Sequence, residues 1–259
     1  MFPESDTPMP ALFIGHGSPM NAIEDNEFAQ GWANVAQSFP RPKAILCISA
    51  HWQTVGAQVT AMSQPKTIHD FYGFPQALFA VNYPAPGSPE LAQLIQQTVR
   101  STSVESDQQW GLDHGAWSVL CRMFPAADIP VVQLSLDQNK PPEFHYELGK
   151  ELRALRRRGV LIVGSGNIVH NLRMLRWADE AYEWAVEFDE QIKQAILAGD
   201  HDTIINYERL GEMARLAVPT DEHFLPLLYV LACQEHEPVR FFAEKVTLGA
   251  ISMRSLRVG

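Results

Sequence analysis

The 259-residue sequence is poor in cysteine, in basic charge and in long apolar runs, and each shortage excludes something. Its three cysteines, Cys47, Cys121 and Cys233, form no Cys-x-x-Cys pair. An odd number leaves one unpaired in any disulfide scheme, and two of them lie in apolar runs. Buried free thiols in a reducing compartment are therefore expected. Twenty Lys and Arg face 30 Asp and Glu, for a formal net charge of −10. That balance disfavours nucleic acid and anionic membrane surfaces as partners. The one basic cluster, Arg156-Arg157-Arg158, precedes Gly159 and reads as a helix end, where cations favour the dipole. The longest apolar stretch, residues 224–233, contains Pro226 and falls far short of a membrane span. The N-terminal segment, residues 1–6, is acidic and lacks the basic and apolar parts of a signal peptide, so a cytoplasmic location is expected. Known chemical signatures are missing too. Gly164-Ser165-Gly166 has no third glycine for a dinucleotide fingerprint, and no P-loop or His-Glu-x-x-His helix is present. Gly15-His16-Gly17-Ser18 does not match a nucleophile elbow.

What is present is a regular alternation. Continuous apolar runs at 11–14, 44–49, 59–62, 131–136 and 160–163 read as strands, and residues 246–258 as a β-rich tail. Helical signals fall between them. Ser88-Pro89-Glu90 is a cap, a first-turn proline and an acidic first turn, leading into Leu91, Leu94 and Ile95 on one face. A stripe of Phe144, Leu148, Leu152 and Leu155 stops at Gly159, and one of Trp184, Phe188, Ile192 and Ile196 stops at Gly199. The pattern predicts an α/β fold in a single domain over residues 1–259. Its central sheet is mostly parallel, with helices on both faces and a β-rich C-terminal edge.

The nine histidines are unevenly placed. His16 ends the first strand and His51 the second, while His170 follows the fifth through a turn read at Gly164-Ser165-Gly166-Asn167. Ligands bind at this edge of an open α/β sheet. His223 is expected in the first turn of a helix capped by Thr220, where the dipole favours neutral imidazole, the form a metal needs. His114 opens another helix in Gly111-Leu112-Asp113-His114-Gly115. His69 is a candidate for a supporting or substrate-loop role, whereas His145, His201 and His236 read as surface residues. A lone histidine is usually an ordinary hydrogen-bonded residue, but several at one sheet edge are not explained that way. Lys66, Arg173 and Arg176 are equivalent candidates for meeting a substrate carboxylate.

Several ordered segments together resemble the class III extradiol ring-cleavage dioxygenases, in the branch called 4,5-DOPA dioxygenase-like. They are Gly15-His16-Gly17-Ser18-Pro19-Met20, Ser49-Ala50-His51-Trp52, Thr67-Ile68-His69-Asp70-Phe71, Asp113-His114-Gly115-Ala116-Trp117, Gly164-Ser165-Gly166-Asn167, His170-Asn171 and Glu222-His223-Phe224-Leu225-Pro226. The resemblance spans nearly the whole chain. It implies one divalent metal per chain, Zn(II) or Fe(II), held by His16, His51 and His223. It leaves His170 as a fourth ligand or an acid/base, and places His114 beside substrate and oxygen as a catalytic group.

By the same resemblance, a catechol such as 4,5-DOPA binds through both hydroxyls, one of which yields its proton to a base. Insertion of O2 beside the diol opens the ring to a muconic semialdehyde. Ring-cleaving relatives pair two histidines with a carboxylate, whereas His223 stands at the third position here, next to Glu222. An all-histidine set suits zinc. Two other readings use the same residues: a zinc-dependent hydrolase on this scaffold, and a closed structural site of His16, His51, His170 and His223. The expected partners are a small catechol and O2, with no nucleic acid or membrane, in a monomer or small homo-oligomer.

Overall fold

The computed structural model describes residues 2–177 and 180–259, so Met1 of the acidic N-terminal segment lies outside the described residues. The strands are β1 (Ala11–Gly15), β2 (Ala44–Thr54), β3 (Ala57–Thr60), β4 (Val104–Asp107), β5 (Val131–Asp137), β6 (Val160–Gly166), β7 (Val239–Phe242), β8 (Val246–Thr247), β9 (Ile251–Ser252) and β10 (Ser255–Val258). The α-helices are α1 (Glu27–Ala36), α2 (Gln76–Phe79), α3 (Pro89–Thr98), α4 (His114–Met123), α5 (Pro142–Leu152), α6 (Glu183–Ala198), α7 (His201–Ile205), α8 (Glu212–Ala217) and α9 (Leu225–Leu231).

One eight-stranded sheet runs in the order β4-β3-β5-β2-β6-β1-β10-β7, and β8 pairs with β9 apart from it. The central run β5-β2-β6-β1 is parallel. β10 and β7 add an antiparallel C-terminal edge. The expected mostly parallel sheet is present, but at its other edge β3 and its parallel partner β4 are reversed against the central strands. β3, foreseen at 59–62, pairs antiparallel with β5 through Val59 and Leu134. Gly56, at φ +79°, turns the chain back after β2 and so reverses the next strand.

The central strands are apolar throughout because both faces are covered. Side chains alternate across the sheet, so one run feeds two cores. Phe13, Leu46, Leu134 and Ile162 pack with residues of α3, α5, α6 and α9 on one face. Leu12, Ile45, Val131 and Leu161 pack with Trp32 of α1 and Trp117 of α4 on the other. The caps foreseen at Ser88 and Gly199 hold: Ser88 Oγ accepts the Leu91 N–H at 3.1 Å, and Gly199 ends α6. The apolar stripe ending at Gly159 is α5 followed by a tighter helical stretch, Arg153–Arg158.

Three readings need correction. The chain does not turn at Gly164–Asn167, because β6 continues to Gly166. Its glycines serve close packing: a Cβ on Gly164 would stand 2.4 Å from the Pro226 carbonyl oxygen, and one on Gly166 2.1 Å from that of His223. Arg156 does more than favour a helix end. It is buried and donates to the carbonyls of Met9 and Cys233 and to Glu237, tying the N- and C-terminal segments together. His145 is buried rather than exposed, with Nδ1 2.9 Å from the Tyr229 hydroxyl. Cys47 and Cys233 are buried and Cys121 half-buried, all three as free thiols. Among the described residues, no helix is long and apolar enough to cross a membrane.

Candidate metal centre

The ends of β1, β2 and β6 and the starts of α4 and α9 meet at one edge of the sheet. His16 follows β1 directly and is buried. His51 lies inside β2, which continues to Thr54 instead of ending there. It falls within an irregularity between Ile48 and Gln53, where the register against β5 shifts. His114 is the first residue of α4, whose N-cap Asp113 accepts the Ala116 N–H. His170 lies past β6 in an isolated antiparallel bridge with Ile251. His223 sits in a turn just ahead of α9, not in a helical first turn capped by Thr220. Thr220 Oγ1 donates instead to Glu222 Oε1 at 3.0 Å.

These five rings form one cluster. The His16 centroid is 5.1 Å from His51, 5.8 Å from His114 and 5.4 Å from His223. His51 lies 3.9 Å from His114 and 5.0 Å from His223. His170 stacks flat on His223 at 3.4 Å and 7°. His69 stands in a neighbouring aromatic wall with Phe71, Phe79 and Trp117, its Nε2 2.9 Å from the Val81 carbonyl oxygen. Arg176 lies 3.8 Å over the Tyr182 ring.

The outer nitrogens are held by groups that orient the rings. His16 Nδ1 is 3.0 Å from Ser165 Oγ, and that hydroxyl donates its own proton to the Gly115 carbonyl at 2.6 Å. Ser165 can then only accept, which assigns the His16 proton to Nδ1 and leaves Nε2 bare. His223 Nδ1 is 2.9 Å from Glu222 Oε1. Asp70 Oδ2 lies 3.5 Å from His51 Nδ1 and 3.0 Å from His114 Nδ1, the latter contact off the N–H axis. The inner nitrogens lack such partners: His16 Nε2 faces His51 Nε2 at 3.1 Å, and His223 Nε2 is buried without a hydrogen bond. Bare nitrogens converging from rings fixed at their far side are what a divalent ion requires.

Electrostatics agree. Burial first, then the neighbouring histidines, pushes His16 and His223 well below the usual histidine range. Burial and His114 bring His51 down to about 3, against the opposing pull of Asp70 and Glu222. Burial brings His170 down to about 4. All four are neutral near pH 7, and neutral imidazole is the ligating form. Burial would raise Asp70, but the neighbouring His114 and His51 hold its carboxyl below the usual range.

Close packing sets these positions. A Cβ on Gly115 would stand 2.5 Å from Ser49 Oγ and 2.8 Å from His51 Cδ2, so only glycine lets α4 begin against β2. Beneath it, buried Asp113 accepts from Ser49 Oγ at 2.6 Å and Gln133 Nε2 at 2.7 Å. Sequence reasoning gave no role to Ser165, Gly115 or Asp113, and none to Asp70 beyond its motif. Only Glu222 had a local signal, being adjacent to His223. Among the described residues, two groups bring their potential ligand atoms within 4.8 Å of one another: His16 with His51 and His114, and His170 with Glu222 and His223. The nitrogen-rich donor set suits zinc or ferrous iron.

Comparison with known proteins shows the family. Residues 10–258 match the family described as the catalytic LigB subunit of aromatic ring-opening dioxygenase. An Escherichia coli K12 protein named 4,5-DOPA dioxygenase extradiol is 48% identical over 262 residues, covering 98% of this chain and 96% of its own. A protein of the same name from Beta vulgaris is 42% identical over 83% of each chain. The crystal structure of an uncharacterised E. coli K12 protein superposes with a TM-score of 0.85 at 43% identity, covering 97% of this chain and all of that one.

Proposed function

The chain belongs to the family of catalytic LigB subunits of aromatic ring-opening dioxygenases, and on that premise we propose that it is a metal-dependent extradiol enzyme inserting O2 into a small catechol such as 4,5-DOPA, to give a muconic semialdehyde. The observation that carries the reading is the convergence of neutral, far-side-anchored rings at the sheet edge. His16, His51 and His223 would hold one divalent ion, Fe(II) for turnover with Zn(II) as an alternative occupant. When bound, it supplies a Lewis-acidic meeting point for catechol and O2 and a path for electron density between them.

The remaining histidines handle protons. A ring nitrogen's lone pair lies in the ring plane, and the planes of His170 and His223 are stacked at 3.4 Å. Lone pairs in two parallel ring planes would not converge on one point, which supports His223 as the residue that would hold the ion and His170 as an acid/base rather than a fourth ligand. Being neutral, it can accept the proton of a catechol hydroxyl. His114, directed by Asp70, lies against His51, where it can hold or move a second proton. Glu222 on His223 returns, one hydrogen bond away, the negative charge that an all-histidine set lacks. The free thiols support a reducing, cytoplasmic setting.

The test is aerobic incubation of Fe(II)-reconstituted protein with a panel of catechols, following oxygen uptake and the yellow ring-opened product. Turnover should consume oxygen and depend on Fe(II), with none from the zinc form. Ester or amide hydrolysis by the zinc form, with no catechol turnover, would overturn the reading in favour of a hydrolase.

A further inference from the structure

Asp70 stands between two rings rather than behind one. His16 and His223 have separate partners, Ser165 and Glu222, whereas one carboxylate oxygen of Asp70 faces both His51 Nδ1 and His114 Nδ1. Its other oxygen accepts the backbone N–H of His114 at 2.9 Å. The carboxylate comes from a segment outside the sheet that is stitched to the approach and first turn of α4. Leu112 N–H donates to the Lys66 carbonyl at 2.8 Å, Ile68 N–H to that of Leu112 at 2.7 Å, and Trp117 Nε1 to that of Ile68 at 2.7 Å. On the other side of Asp70, Phe71 meets the His114 ring edge-on at 5.6 Å. Asp70 is thus anchored on both flanks, and its side chain is 19% exposed.

We propose that Asp70 is a positioning residue that orients the ligand ring of His51 and the proton-handling ring of His114 together, fixing where the acid/base group stands relative to the metal. This rests on the roles given above to those two histidines. One carboxylate oxygen within 3.5 Å of both Nδ1 atoms favours the proton at Nδ1 on each ring, acting through its charge, since the His114 contact lies off the N–H axis. A carboxamide carries no such charge and cannot serve all three contacts. With its oxygen toward the rings, its NH2 meets the His114 backbone N–H, and with its nitrogen toward the rings, both Nδ1 positions face a donor. With the centroids 3.9 Å apart, a turn of either ring displaces the other.

The test is Asp70→Asn, of nearly unchanged volume, read in two ways. Zn(II) affinity by competition with a chromogenic chelator needs no substrate, and should weaken roughly 10–100-fold through His51. Catechol turnover at saturating Fe(II) should fall by about 10²-fold in kcat with little change in KM, through His114. His114→Ala alone should keep fold and metal while losing about 10²–10⁴-fold in turnover. In the double variant, Asp70→Asn should add little further loss of turnover yet still weaken Zn(II) binding. That non-additivity separates positioning from a general loss of stability, which would multiply in both readouts. Wild-type affinity and kcat in Asp70→Asn, or fully multiplicative turnover losses, would overturn the inference. His51→Ala distinguishes the two levels. If it keeps full metal occupancy, the ligand reading fails and this inference with it. If it loses the metal while Asp70→Asn binds like wild type, only this inference fails.

Discussion

Two of the buried polar clusters among the described residues are completed to different degrees. Around Arg254 every charge meets its opposite. The guanidinium bonds Asp189 at 2.8 Å through Nε, and also reaches Glu190 at 3.2 Å and Glu244. Lys193 lies 2.7 Å from Glu244, and Ser252 Oγ donates to Asp189 at 2.6 Å. Around His16, His51 and His223 the outer nitrogens are engaged while the inner ones face each other or nothing. The first cluster joins the β-rich tail to α6 and needs nothing further. The second gathers electron pairs with no cation among the side chains to receive them. Buried polar groups left incomplete are costly, so a convergent set of them marks a place where a ligand completes the structure.

The comparison is broken most directly by removing the proposed ligands. His16→Ala, His51→Ala and His223→Ala should each lose tight binding of one divalent ion per chain, and catechol turnover with it, while still folding. Metal analysis after dialysis checks this, and near-full occupancy in any variant removes that residue from the set. The reverse is expected at the other cluster. Arg254→Met leaves Asp189 buried and uncompensated, and should cost about 3–5 kcal/mol of stability. Metal content per folded chain should stay at the wild-type level. Denaturant unfolding read beside metal analysis tests the pair, and metal loss without destabilisation would erase the distinction.

A smaller effect sharpens it further. In metal-free protein His51 sits at about 3 and His170 at about 4, and unfolding returns both to the ordinary value of 6.5. Between those limits the unfolded chain binds protons that the folded chain refuses. Stability is therefore whole above about pH 6.5 and is lost as pH falls toward the folded values, at up to about 1.4 kcal/mol per pH unit for each histidine. Metal loading should steepen the loss, because protons compete for the same nitrogens. Unfolding midpoints taken from about pH 7 down to 5 measure this. A flat profile in the metal-free protein would mean that the rings are solvated.

Much of the fold was legible because its signals are local. Strands covered on both faces appear as unbroken apolar runs, and Ser88 and Gly199 mark helix ends by their own chemistry. The edge strands β4 and β7 were not found. They are four residues each, β4 exposed at Glu105 and Ser106 and β7 half-buried for most of its length, with little periodicity to detect. The extension of β6 through Gly164–Gly166 was read as a turn because glycine usually signals one. Here it marks backbone packed against backbone, which no single segment reveals.

The sequence by itself pointed to a candidate metal site: histidines in or just past parallel strands, in segments resembling a known family, at the edge where such sheets bind ligands. Only the tertiary structure decided how those histidines work. Asp70 lies 44 residues from His114, and Ser165 lies 149 residues from His16. Which ring nitrogen carries a proton, and which way its lone pair points, depends on those distant partners. Strand register and the glycine-limited approach of α4 to β2 bring them into contact. Periodicity and capping are properties of neighbours in the chain, whereas the orientation of a lone pair is a property of neighbours in space.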